Sequence, residues 1–196
     1  MGLALDLPTA EDMNTGGTYL TTPGKYHCLI VHAEENPTRN DKLVKGFLLE
    51  LAVQNAGDQQ GMTFKAYFAN GDPAHKDGGA FALKKQVAAL IASNVVGPAD
   101  LGKAGVEIDV EKAKDSQVLV ELALGQPDKT TGKQYLDIAY ANIFHIDDPR
   151  AKTFPKDADT ISLVPKEYRR SEDFFAPLMV KPKAAPKPKD TDFDGL

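Results

Sequence analysis

FALKKQVAALIAS (residues 81–93) is where the hydrophobic period of this chain changes. It places Leu83, Val87, Leu90 and Ile91 at i, i+4, i+7 and i+8, one stripe of an amphipathic helix, and leaves Lys84, Lys85 and Ser93 outside it. Asn94 and Gly97-Pro98 mark its end. Upstream the period is two. TFKAYFA (63–69) turns Phe64, Ala66 and Phe68 one way and Lys65 and Tyr67 the other, and FLLELAV (47–53) sets Phe47, Leu49, Leu51 and Val53 against Leu48, Glu50 and Ala52. NAGDQQG (55–61) reads as the turn between them, and YHCLIVHA (26–33), entered through Pro23-Gly24, as a first strand. Downstream, Val118, Val120, Leu122 and Leu124 alternate with Gln117, Leu119, Glu121 and Ala123. QPDKTTGK (126–133) is a long hairpin connection, and residues 135–144 form a last strand with Leu136, Ile138 and Tyr140 on its apolar face.

The element order is three strands, one helix, two strands. This predicts a mainly β fold with the connectivity of an OB-fold, a five-stranded Greek-key barrel with one helix between strands 3 and 4. A generic antiparallel sheet with a packed helix gives the same order. The barrel domain is expected over residues 17–150, after a polar, aperiodic N-terminal arm over 1–16. Residues 151–180 form an extension of unknown role, in which ISLV (161–164) could add a strand and Phe174 and Phe175 could dock on the barrel or on another subunit. Residues 181–196 make a disordered C-terminal tail. KPKAAPKPK (181–189) is a Lys- and Pro-rich linker unable to build a core, and DTDFDGL (190–196) is an acidic tip with apolar anchors.

Composition narrows the function classes. No apolar run approaches the roughly 18–20 residues needed to cross a bilayer, and the N-terminus lacks the basic segment of a secretory signal. The single cysteine, Cys28, lies within an apolar strand pattern. It is expected in the core of a cytoplasmic, reduced protein. The four histidines are not spaced as metal ligands, and His27 and His32, five apart on one strand, are expected on opposite faces. Asp147-Asp148 before Pro149 reads as a solvated turn. No phosphate-cradling Gly-Lys-Ser/Thr and no nucleophile elbow occurs. The expectation is a protein that is not an enzyme and needs no cofactor or metal.

Binding single strands takes exposed rings to stack on bases and cations for the phosphates. The outward face of the third strand offers Lys65 and Tyr67 together. The two loops that flank an OB-fold groove supply Arg39, Lys42 and Lys45 on one side, and Lys129, Lys133 and Tyr135 on the other. With a net charge of −5, and acids outnumbering bases between residues 17 and 150, the groove must be basic by segregation. The competing reading is an interaction module that binds no DNA, a phage accessory or recombination adaptor using an OB-like barrel as scaffold.

Pro23-Gly24-Lys25-Tyr26, Gly46-Phe-Leu-Leu-Glu-Leu51, Gly61-Met-Thr-Phe64, the helix before Asp100-Leu101-Gly102-Lys103, and Thr131-Gly132-Lys133-Gln134-Tyr135 together give residues 17–147 a spacing that resembles phage-encoded OB-fold single-stranded DNA-binding proteins. The tip, with Asp190, Asp192, Phe193, Asp194 and Leu196, resembles the acidic, hydrophobic ends of bacterial and phage single-strand-binding proteins, with fewer acids and Leu in place of a terminal Phe. The resemblance implies single-stranded DNA as ligand, no strong base preference, and replication, recombination or repair proteins as partners of the tip. It implies no membrane partner and leaves the oligomeric state open.

Overall fold

The computed structural model describes residues 19–179 other than 40, 56, 75, 78 and 128–130. The expected arm, Lys129, the linker and the tip lie outside the described residues. Five long strands, β1 (Gly24–Glu35), β4 (Gly46–Val53), β5 (Thr63–Ala69), β6 (Gln117–Leu124) and β7 (Leu136–His145), form one antiparallel sheet in the order β5-β4-β1-β6-β7. Two short strands, β2 (Thr38–Arg39) and β3 (Lys42–Leu43), make a hairpin in the β1–β4 connection. Helix α1 (Ala80–Ala92) sits between β5 and β6, where the change of period predicts it. No helix of the described residues is long and apolar enough to cross a membrane.

Alternation explains the main core. Phe47, Leu49, Leu51 and Val53 of β4, Phe64, Ala66 and Phe68 of β5, and Val118, Val120 and Leu122 of β6 are buried in one cluster with Cys28 and Ile30 of β1. Phe47 and Phe68 face each other across the β4–β5 pair, their rings stacked at 4.7 Å. Gly46 opens β4 at φ +136°, and a Cβ there would lie 2.1 Å from the Phe68 carbonyl oxygen, so only glycine brings the chain in this close. Burial pushes the Cys28 thiol well above its usual range and leaves it unreactive.

Two bulges shift the phase that strict alternation assumes. In β1 the register slips between Ile30 and His32, so His32 lies opposite Glu50 on the outer side, the side His27 also faces. The two histidines therefore share a face. In β7 the pairs Val120–Ile143 and Leu122–Ile138 set one residue of β6, Glu121, against four of β7, 139–142. The extra residues include Tyr140 and Ala141, both with left-handed φ (49° and 72°). Tyr140, assigned to the apolar face by period, is instead 83 % exposed, and Leu124 at the end of β6 is exposed as well.

Helix α1 also departs from its stripe. Its C-terminal half carries the burial, at Ala89, Leu90, Ile91 and Ala92, while Leu83 in its first half is 60 % exposed. Ser93, placed outside the stripe, is buried, and its hydroxyl donates to the Ala89 carbonyl at 2.8 Å. Asn94 then takes a left-handed turn (φ 61°) that lets Val95 N–H reach the Leu90 carbonyl (2.9 Å) and its own N–H reach that of Ile91 (3.1 Å). This is a Schellman-type stop with Asn in the place of Gly. Helix α1 packs against both β7 and β5, the two outer strands of the sheet.

Residues 151–164 pack on the opposite face of the sheet. Leu119, which alternates with the core residues of β6, is buried with Ile146, Ala151 and Phe154 in a second cluster. The segment expected to add a strand forms a short helix, α2 (Ala158–Ser162), started by the Asp157 carboxylate accepting from Thr160 N–H at 2.7 Å. Helix α3 (Glu172–Met179) buries Phe175 completely, against the rings of His145 and Phe174 at 5.7 and 5.0 Å. Asp147 and Asp148 are not a solvated turn. Asp148 is buried and accepts from Arg150 (2.6 Å), and Asp147 accepts from Arg169 (2.6 Å).

Two buried histidines, His27 and His145, tie the chain after β7 to the sheet in the same way. A backbone N–H can only donate, so Asp157 N–H (3.1 Å) fixes His27 Nδ1 as acceptor, and Asp147 N–H (3.0 Å) fixes that of His145. The proton then sits on Nε2 and is donated to the Gln117 side-chain oxygen (3.0 Å) and to the Tyr168 carbonyl (2.9 Å). Burial lowers both pKa values below the ordinary histidine value, outweighing the neighbouring Asp157 and Asp147 carboxylates. The folded chain thus binds fewer protons here than the unfolded chain. The contribution is complete above an unfolded value of about 6.5 and shrinks as pH falls below it. The urea midpoint is expected to drop between pH 7.5 and 5.5, with a smaller drop in the His27→Gln variant. A midpoint unchanged over that range in the wild type rejects this account.

Candidate nucleic-acid interface

A cleft of about 520 Å3 lies between β5 and the β6–β7 hairpin. Its walls bring together four of the residues singled out in the sequence, Arg39, Lys65, Tyr67 and Tyr135. Each arrives by a local cause. Lys65 and Tyr67 stand on the outer side of β5 because Phe64, Ala66 and Phe68 take the core side. Tyr135, 58 % exposed, precedes β7 at the end of the hairpin connection. Arg39 comes from the β2–β3 hairpin, where it pairs across the ladder with Lys42.

Arg39 is not simply a free cation. Its guanidinium lies 4.8 Å from the centre of the Tyr67 ring, a cation–π contact worth about 0.5–2 kcal/mol. Lys65 is exposed, 3.8 Å from the Glu50 carboxylate opposite it on β4. The one acid on the cleft wall, Asp137, is held by Lys85 of α1 at 2.6 Å. Among the described residues the cleft thus presents Arg39 and Lys65, the latter beside Glu50, with Asp137 paired to Lys85.

The other expected residues are placed differently. Lys42, Lys45 and Lys133 are exposed but do not line the cleft, and Lys129 lies outside the described residues. Sequence reasoning missed Tyr19. It forms a parallel bridge to Thr63, while Leu20 N–H donates to the Thr63 carbonyl at 2.8 Å, so residues 19–21 run along the edge of β5 and form part of the cleft wall. Tyr19 is 62 % exposed. The signal was a lone aromatic in a Thr-rich stretch before the first strand, too short for any period. Three tyrosine rings thus surround one cleft, with Thr21, Gln126 and Gln134 between them. No protein-family model matches this sequence, and no curated protein matches it.

Proposed function

We propose that this chain binds single-stranded DNA in the Tyr19–Tyr67–Tyr135 cleft without strong base preference. The observation that carries the reading is the convergence of three tyrosines with Arg39 and Lys65 from four separate segments on one concavity. Rings stack on any base, because every base has a π face, and the cations follow the phosphates. The rims are dressed for a longer strand, with Lys42 beside Arg39 on one hairpin and Lys133 on the other. A double helix presents stacked bases that these rings cannot reach.

The same reading takes the five strands as an OB-type barrel. Its support is the strand order β5-β4-β1-β6-β7, together with a helix that packs against both outer strands. The cleft then lies where such barrels bind oligonucleotides, and the β2–β3 and β6–β7 hairpins are its flanking loops. The protein acts in the cytoplasm in replication, recombination or repair, in a bacterial host if phage-encoded. Its partners engage the tip at Asp190, Asp192, Phe193, Asp194 and Leu196.

Anisotropy titration of fluorescent oligo-dT and of a duplex, at low and moderate salt, tests this. Single strand is expected to bind more tightly than duplex, and Lys65→Gln to reduce the salt slope by roughly 0.7, the value for one phosphate contact on a single strand. Equal affinity for the two forms at moderate salt contradicts the proposal. Absence of any salt-sensitive binding favours the interaction-module reading instead.

A further inference from the structure

A second concavity, about 410 Å3, runs between α1, the end of β7 and α3, and shares no lining residue with the cleft. Leu83, Val87, Ile91, Leu101, Ile143 and Leu178 give it an apolar floor. Leu83 and Leu101 remain largely exposed there, although α1 could have kept its outer half polar at no cost to the core. Two cations border the floor. Lys84 is exposed, and Arg150 bonds buried Asp148 while more than a third of its side chain stays accessible.

We propose that this groove is the docking site of the chain's own segment 190–196, DTDFDGL, with Phe193 and Leu196 on the apolar floor and the aspartates facing Lys84 and Arg150. This goes beyond the DNA-binding reading and does not depend on it. The first argument is where the chain runs. Leu178 is part of the groove wall, and the segment begins about a dozen residues later. At ~3.1 Å per residue for a Pro-rich stretch, the intervening chain spans roughly 35 Å, enough to leave the groove and return across it. A tether of that length holds the segment at an effective concentration on the order of millimolar.

The second argument is chemical. The segment alternates acids with apolar residues and contains no base, and the groove pairs an apolar floor with cations. The cleft suits it less well. Its wall carries Thr21, Gln126 and Gln134 among the tyrosines, whereas the groove offers aliphatic side chains to Phe193 and Leu196. Docked here, the aspartates leave the cleft open, and a protein partner gains the tip only by displacing it from α1.

The test places a nitroxide label on a Gly195→Cys variant of the full chain, without DNA. Cys28 is buried and stays unlabelled. Methyl signals of Leu83, Val87, Leu101 and Leu178 are expected to lose intensity, and an added Leu83→Asp, at a position already exposed, to restore those of Val87, Leu101 and Leu178. Intensity loss at Leu20, Leu124 and Leu136 instead puts the tip in the cleft and overturns the proposal. So does loss that persists in Leu83→Asp, loss seen only on unlabelled copies mixed with labelled ones, or no loss at all. Leu101→Ser, also at an exposed site, is a second variant expected to restore the remaining signals.

Discussion

Alanine at both Tyr67 and Tyr135 is expected to weaken oligo-dT binding by roughly 2–6 kcal/mol, the sum of about 1–3 kcal/mol for each ring removed from a stack. The two rings stand on opposite walls of the cleft, on β5 and ahead of β7, so their losses add as those of independent sites do. Tyr135 is largely exposed, and truncating it leaves little packing behind. Tyr67 is half-buried, and its loss also releases Arg39 from the ring face. Phenylalanine at both positions keeps the π surface and the cation contact and is expected to bind nearly as the wild type does, which separates stacking from hydroxyl chemistry. Anisotropy titration at fixed salt measures all three proteins, with thermal melts to show that each is folded. A folded double-alanine variant that binds like the wild type removes the cleft from the mechanism.

Phe175→Ala is expected to cost about 3–5 kcal/mol of stability, the usual penalty for emptying a fully buried phenylalanine site. The ring is wedged between His145 and Phe174, and α3 holds it there with acids in its first turn and Arg170 over the Phe174 ring at 5.2 Å. Nothing nearby is small and mobile enough to close the hole without moving His145, whose imidazole is bonded at both nitrogens. Urea unfolding followed by circular dichroism measures the loss, and Phe175→Leu is expected to lose much less. A cost below about 1 kcal/mol, the range of an ordinary surface change, contradicts the assignment. A chain cut after Arg150 loses Asp157 from His27 and Ala151 and Phe154 from Leu119, and is expected to aggregate.

The sheet was legible because β4 and β5 alternate without interruption, so period alone assigned Phe47 through Val53 and Phe64 through Phe68 to the core. It failed where the backbone slips. Nothing in YANI (140–143) marks a three-residue bulge, and nothing in LIVH (29–32) a one-residue one, so Tyr140 was read as core and His32 as opposite to His27. The residues after 150 were opaque for another reason. Their apolar side chains are single anchors, Phe154 and Phe175, on short turns and helices with no repeat to read, and only the folded sheet shows that Phe154 covers its second face and that Phe175 packs at His145. Of the cleft, Lys65 and Tyr67 were legible as an aromatic and a cation out of phase with a core strand. That Arg39 sits on Tyr67, and that Tyr19 lines the same cleft, depends on long-range pairing of segments that are individually featureless.

The chain has six tyrosines and no tryptophan. Three of those six line the cleft, so half of the near-ultraviolet fluorophores of the protein sit where a bound base would stack. In a protein with tryptophan this weak emission is swamped by energy transfer. Here it is the intrinsic signal, and a stacked base quenches it by direct contact. Occupancy of the cleft can therefore be followed on the unmodified chain, and Tyr140, exposed on its bulge outside the cleft, leaves a residual emission that full occupancy does not remove.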